Sequence, residues 1–362
     1  MILTILLFVF ILGLVVLTHE FGHFYVAKKS GMRVDEFGFG FPPKLFSIKR
    51  GETTYSFNLF PIGGFVKIYG EDGAERNEPR SFSGSPMWRR MAVVVAGVVM
   101  NFFVAYLFFS AVHMVGAPTM LEEDDISTAN IKDSFVQIIA VVPDSPAEEA
   151  GIQMGDRIKE LSVEDVTTTT ERVQNVRDFI GEYKGETILF TVERGGDLVE
   201  LSVDSRDEFP EDEGPTGIAL VDVGIVQHPP HLALVEGAKT TYNLTAMSVV
   251  VFGQTIQGAI VEREVPEGVA GPLGIAVITG TVRDMGFVYI LHFIALISMS
   301  LGLINIVPFP ALDGGRFAFL VVEAIKGSPV DKKFENYAHM VGFALLILLI
   351  ILITYHDITR YL

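Results

Sequence analysis

The sequence predicts a polytopic α-helical membrane protein with four transmembrane helices, a membrane-associated β-hairpin loop and an extracytoplasmic α+β domain. Three observations carry that prediction. Of 362 residues, 49% are apolar and the mean hydropathy is +0.42, too high for an ordinary soluble chain of this size. The apolar residues gather into four long stretches. Charge is segregated as well: the formal net charge is −17, yet residues 118–283 hold 30 Asp/Glu against 11 Lys/Arg, while the rest holds 14 against 16. The acidic excess therefore belongs to one soluble region and argues against nucleic-acid binding there. With no cysteine in the chain, disulfides, iron–sulfur clusters, thiolate zinc sites and a cysteine nucleophile are excluded.

The first helix is expected over residues 1–27. From Ile2 to Leu17 nothing is more polar than Thr4, and the run stays apolar through Ala27. At about 1.5 Å per residue it crosses a bilayer. No basic segment precedes it and no small-residue cleavage site follows, so a retained helix is expected and not a signal peptide. Inside it lies Thr18-His19-Glu20-Phe21-Gly22-His23. His19 and His23 are four apart, so a helix stacks them on one face, as two ligands of one metal ion require. Glu20 stands beside them, placed to take a proton from a water that the metal activates. A chance match is the plainer alternative. Against it, an ionisable group at membrane depth costs about 2.5–3.5 kcal/mol on insertion scales, and three within five positions need a compensating role.

Residues 28–90 form a basic loop with 11 Lys/Arg. Phe46 and Ile48, then Tyr55, Phe57 and Leu59, alternate with polar residues around Arg50-Gly51-Glu52, which predicts a β-hairpin. It reads either as a small subdomain packed on the membrane surface or as a strand edge that holds an extended substrate beside the metal. A second span follows at 91–117, apolar from Met91 to Val115. Asn101 is its one strongly polar side chain and is expected to make an interhelical hydrogen bond.

Residues 118–224 read as a separate soluble domain. A strand at Ile138–Val142 leads into Ser145-Pro146-Ala147-Glu148-Glu149-Ala150-Gly151 and Gly155-Asp156-Arg157-Ile158. A helix near Glu171–Ile180, a strand at Thr187–Glu193 and a Gly195-Gly196 turn follow. The order resembles a PDZ domain, without the usual Gly-rich carboxylate loop before its first strand. Gly214-Pro215-Thr216-Gly217-Ile218 stands where a circularly permuted PDZ domain would supply that loop from its far end. Residues 225–285 are expected to be an amphipathic, membrane-skirting segment, although Thr240–Val261 carries no charge. The third span and the motif that follows it occupy 286–327, and the fourth span lies in 328–362.

Two histidines do not complete a catalytic zinc site, which usually takes three protein ligands. His228 and His231 sit in a Pro-containing loop and are expected to be solvated. His113, His292, His339 and His356 are single residues on apolar helices, where a hydrogen-bonded structural role is expected. Asp313 differs. It lies in Asn305-Ile306-Val307-Pro308-Phe309-Pro310-Ala311-Leu312-Asp313-Gly314-Gly315, directly after a span broken by two prolines. Its plainer reading is a helix cap. Topology favours the ligand reading. Loop 28–90 and the segment holding Lys326, Lys332 and Lys333 should both be cytoplasmic by the positive-inside rule. Four spans satisfy this, with the N-terminus and the acidic domain outside. His19, His23 and Asp313 then share the cytoplasmic end of the membrane.

With these motifs in place, the sequence resembles the site-2 protease family of intramembrane zinc metalloproteases, in its bacterial RseP/RasP form. The resemblance rests on His19-Glu20-Phe21-Gly22-His23, Pro61-Ile62-Gly63-Gly64-Phe65-Val66-Lys67, Ala96-Gly97 with Asn101, the PDZ signature, Gly271-Pro272-Leu273-Gly274-Ile275-Ala276 and Asn305 to Gly315. It implies a bacterial inner or plasma membrane protein whose Zn²⁺ is held by His19, His23 and Asp313, with Glu20 as general base. It further implies single-pass transmembrane substrates, such as anti-sigma factors already shortened by another protease, and leftover signal peptides. Gly63 and Gly64 of the hairpin loop, with Asn305 and Pro308, would contact the substrate. The PDZ-like domain, with its own peptide ligand, would exclude unshortened substrates. Two rivals are a membrane-anchored zincin acting on extracytoplasmic soluble proteins and a non-catalytic PDZ membrane scaffold. The apolar setting of His19 counts against the first, and an intact Glu20 against the second.

Overall fold

The computed structural model describes residues 2–73, 75–120, 131–210, 213–261 and 271–361, in two compact units: one of 1–109, 237–279 and 292–362, the other of 110–236 and 280–291. Among the described residues four helices are long and apolar enough to cross a membrane: Ile2–Lys29, Met87–Val115, Phe287–Ile306 and Lys332–Thr359. They fall where the four apolar stretches predict spans. The second begins four residues ahead of its apolar run, because Trp88, Arg89 and Arg90 continue the helix toward the basic loop.

In the first unit, helix α1 (Ile2–Lys29) is followed by β1 (Val34–Arg50) and β2 (Thr53–Ile68), which pair antiparallel around a two-residue Gly51-Glu52 turn. The hairpin is much longer than the alternation at 46–59 suggests. Residues 36–39 are flanked by 64–67 on one side and by 54–57 on the other, so two long strands fold back into a small sheet. That bend breaks the simple alternation and hides the strand period of residues 34–45. Phe24 of α1 meets Phe37 at 5.1 Å and Tyr55 at 6.1 Å between ring centroids, which seats the hairpin on the helix.

Helix α2 (Met87–Val115) packs with α1 through a core of Ala27, Met32, Val34, Val93 and Val94.

The second unit holds a seven-stranded sheet. Its strands are β3 (Ala117–Met120), β4 (Ile131–Val141), β5 (Arg157–Val163), β6 (Val166–Thr168), β7 (Thr187–Arg194), β8 (Asp197–Asp204) and β9 (Ile218–Val226), in the order β3-β9-β4-β5-β7-β8 with β6 beside β5. Helices α3 (Pro146–Glu149) and α4 (Val173–Glu182) complete it. Val136, Ile138, Ile158, Leu161, Val176, Ile188, Phe190 and Val192 form its buried core. Strand β9, last in sequence, pairs with β4, and the chain before it meets α3, where the Ala147 amide donates to Thr216 O at 3.1 Å. His228 is half-buried, with its ring 5.7 Å from that of His113; it is not the solvated residue its loop suggests, because the chain there turns back onto α2.

Helix α5 (Pro230–Val261) is continuous for 32 residues. Val249, Val250, Val251 and Phe252 are all exposed, so apolar surface there runs around the helix and does not form the single stripe of an amphipathic one. Helix α6 (Pro272–Met285) follows the glycine-rich motif. The region read as the third span and its motif is two helices, α7 (Phe287–Ile306) and α8 (Asp313–Lys326), separated by a turn at 307–312 that contains Pro308 and Pro310. Helix α9 (Lys332–Tyr361) ends the described chain.

Candidate metal centre

His19 and His23 project from one face of α1, as their spacing requires, and their Nε2 atoms lie 3.1 Å apart. Asp313 is the first residue of α8. Its plainer reading, a helix cap, is not what the structure shows: no side-chain cap bond is made at that helix start. Instead Asp313 Oδ2 lies 3.1 Å from His19 Nε2 and 3.2 Å from His23 Nε2.

The three atoms fit a metal ion. His23 Nδ1 is 2.7 Å from Val93 O; a carbonyl only accepts, so Nδ1 carries the ring proton and Nε2 presents a lone pair. His19 Nδ1 lies 3.1 Å from the Asn101 side-chain amide, whose Oδ1, otherwise buried without a partner, accepts Nδ1–H in the other amide orientation. Two imidazole lone pairs and a carboxylate oxygen then face one another, and among the described residues buried Asp313 Oδ2 has no hydrogen-bond donor. A single cation among them satisfies all three. A tetrahedral zinc with bonds of about 2.0–2.1 Å sets its ligands about 3.3 Å apart, close to the separations here. Among the described residues this is the one group of three His, Asp or Glu side chains close enough to share an ion.

Glu20 lines the same cavity of about 760 Å³ as His19, His23 and Asp313. The hairpin reaches it: a Cβ on Gly64 would stand 3.3 Å from Glu20 Cγ, and residues 65–70 form part of the cavity wall. Gly63 turns away, with the Phe41 ring against it. Asn305, half-buried near the end of α7, and the exposed Pro308 are not among the residues lining the cavity. Two ion pairs fix α8 beside the site, Arg90–Glu323 at 2.8 Å and Arg316–Glu71 at 2.5 Å.

Sequence reasoning missed the face of α2 that orients both imidazoles. Val93, Gly97 and Asn101 fall four apart and make one stripe. Val93 supplies the acceptor for His23 and Asn101 the partner for His19. Gly97 leaves the space between them, since a Cβ there would come within 2.3 Å of His23 Nε2 and 2.7 Å of His19 Cε1. A small residue and an amide at i, i+4 in an otherwise apolar helix were the available signal.

Comparison with known proteins gives the family. The model of peptidase family M50 matches residues 7–349. Similar proteins include zinc metalloprotease RasP of Geobacillus kaustophilus, 30% identical over 99% of this chain and 98% of that protein. RasP of Oceanobacillus iheyensis is 29% identical over 99% of both chains. The regulator of sigma-E protease RseP of Escherichia coli K12 is 28% identical over 98% of both.

Proposed function

Because the chain belongs to peptidase family M50, we propose that it is a zinc metalloendopeptidase of the site-2 type that cleaves transmembrane segments of single-pass membrane proteins. The observation that carries this reading is the meeting of His19, His23 and Asp313 within 3.1–3.2 Å of one another, with Glu20 on the same cavity and the two histidines inside an apolar helix. Zinc, when held by these three residues, supplies a Lewis acid that polarises a peptide carbonyl and acidifies a water. Glu20 accepts the proton of the attacking water and returns it to the leaving amide nitrogen. Val93 O and Asn101 keep both imidazoles in the tautomer that presents Nε2.

A transmembrane substrate hides its carbonyls in i→i−4 hydrogen bonds and has to be held extended to be cut. Residues 64–67 pair with β1 on one side, and among the described residues no strand pairs with their other side. That edge, beside Glu20, is suited to hold the unwound segment by strand addition, with Gly64 allowing close approach; the part assigned to Gly63 rests on the family resemblance. The parts assigned to Asn305 and Pro308 rest on the family resemblance. Anti-sigma-factor-like proteins and signal-peptide remnants are the substrate classes in view. The basic loop 28–90 supports a cytoplasmic face for the metal centre and an extracytoplasmic one for residues 118–224. The PDZ-like reading of that region, as a selector of shortened substrates, is supported by the S-P-A and G-D-x-I elements and by the pairing of β9 with β4.

The test is digestion of synthetic single-span peptides by the purified chain, with cleavage sites mapped by mass spectrometry. Cuts inside the apolar segment that vanish in Asp313→Ala are expected. Cuts confined to soluble flanks would favour an anchored soluble-type zincin.

A further inference from the structure

The turn that delivers Asp313 is held in place by a residue of α9. Ala311, two positions before Asp313, sits at φ +84°, the left-handed region that favours glycine. Its amide donates to His339 Nδ1 at 2.9 Å. One turn along the same face of α9, Gly342 lets the helix backbone close on the loop: a Cβ there would come within 2.2 Å of Pro310 O. Residues 339 and 342 thus grip 310–311 from one side. Because His339 Nδ1 accepts, the neutral ring carries its proton on Nε2. That atom is buried without a partner among the described residues, and His339 lines the cavity shared by His19, Glu20, His23 and Asp313.

We propose that His339 is a positioning residue for the metal centre: its Nδ1 holds the left-handed turn at Ala311 that aims the Asp313 carboxylate at His19 and His23. The ring belongs to none of the three ligand positions and acts through the backbone. The inference rests on the reading of Asp313 as a metal ligand, and its test separates the two.

The experiment is zinc affinity of the full-length chain in detergent, by competition with a chromophoric chelator. His339→Ala should weaken binding about tenfold, the scale of lost outer support for a ligand. Glycine adopts φ +84° without a strut, so Ala311→Gly placed in the His339→Ala background should restore most of the affinity. His339→Asn, which sets an acceptor near Nδ1, should bind zinc like the unaltered chain, whereas His339→Gln, which reaches toward Nε2, should resemble His339→Ala. The Asn/Gln pair decides the matter if His339→Ala does not fold. Unchanged affinity in His339→Ala, no rescue by Ala311→Gly, or equal behaviour of Asn and Gln would each overturn the proposal. Undiminished affinity in Asp313→Ala would instead remove the ligand reading beneath it.

Discussion

At Gly97 the candidate metal centre depends on the absence of a side chain. Both imidazoles stand where a Cβ would be, so Gly97→Val has to push α1 and α2 apart or turn the rings. Overpacking of this kind costs about 1–3 kcal/mol, and here it falls on the ligands. The expected result is a folded protein of lowered melting temperature with little zinc, measured by thermal unfolding and metal analysis on one preparation. Full zinc occupancy would show that the rings do not need that space. The candidate ligands were legible: i, i+4 spacing put His19 and His23 on one face, and two prolines before Asp313 marked a chain that leaves its helix. Val93 was not, because the rotation of α2 against α1 depends on packing that a backbone acceptor does not announce in sequence. Asn101 was expected to hydrogen-bond between helices. Its partner turned out to be a metal-ligand candidate.

Among the elements, α6 shows what its glycine-rich lead-in is for. Asp357, near the end of α9, is 1% exposed and accepts from the amides of Gly274 at 2.8 Å and Gly271 at 3.2 Å. It serves as the N-terminal cap of α6 from another helix. A Cβ at Gly271 would come within 2.7 Å of Asp357 Oδ2, so the glycine is needed for that approach. Asp357→Ala should cost about 1–2 kcal/mol, the worth of a cap with a charged acceptor, read as a lower melting temperature with zinc content unchanged. An unshifted melting temperature would remove the cap role. The motif Gly271-Pro272-Leu273-Gly274 was visible in sequence, but its partner lies 83 residues from Gly274 and had no local signal. The hairpin was half legible for a similar reason. Its turn and the alternation around it were local, while the return of residues 36–39 against two other segments was not.

For the whole molecule, the sequence fixes on four spans and a basic first loop, and this predicts which surfaces face the cytoplasm. Native cysteine is absent, so single-Cys variants can be labelled without background. An impermeant thiol reagent applied to intact cells should reach a Cys at Asp197 and not one at Glu52; the reverse pattern would sink the four-span topology. Hydropathy and charge sufficed for the four spans because a bilayer demands about 20 apolar residues per crossing. They did not suffice for α5, whose charge-free stretch 240–261 suits several settings. The proposed function turns on proton transfer by Glu20 at a zinc centre that Glu20 does not ligate, a claim the Glu20→Gln variant probes. Zinc content and cleavage of a synthetic transmembrane peptide should be measured on the same preparation. The expected result is about one zinc per chain with turnover reduced at least a hundredfold, the usual scale for a general base. Zinc retained together with near-native turnover would contradict the claim.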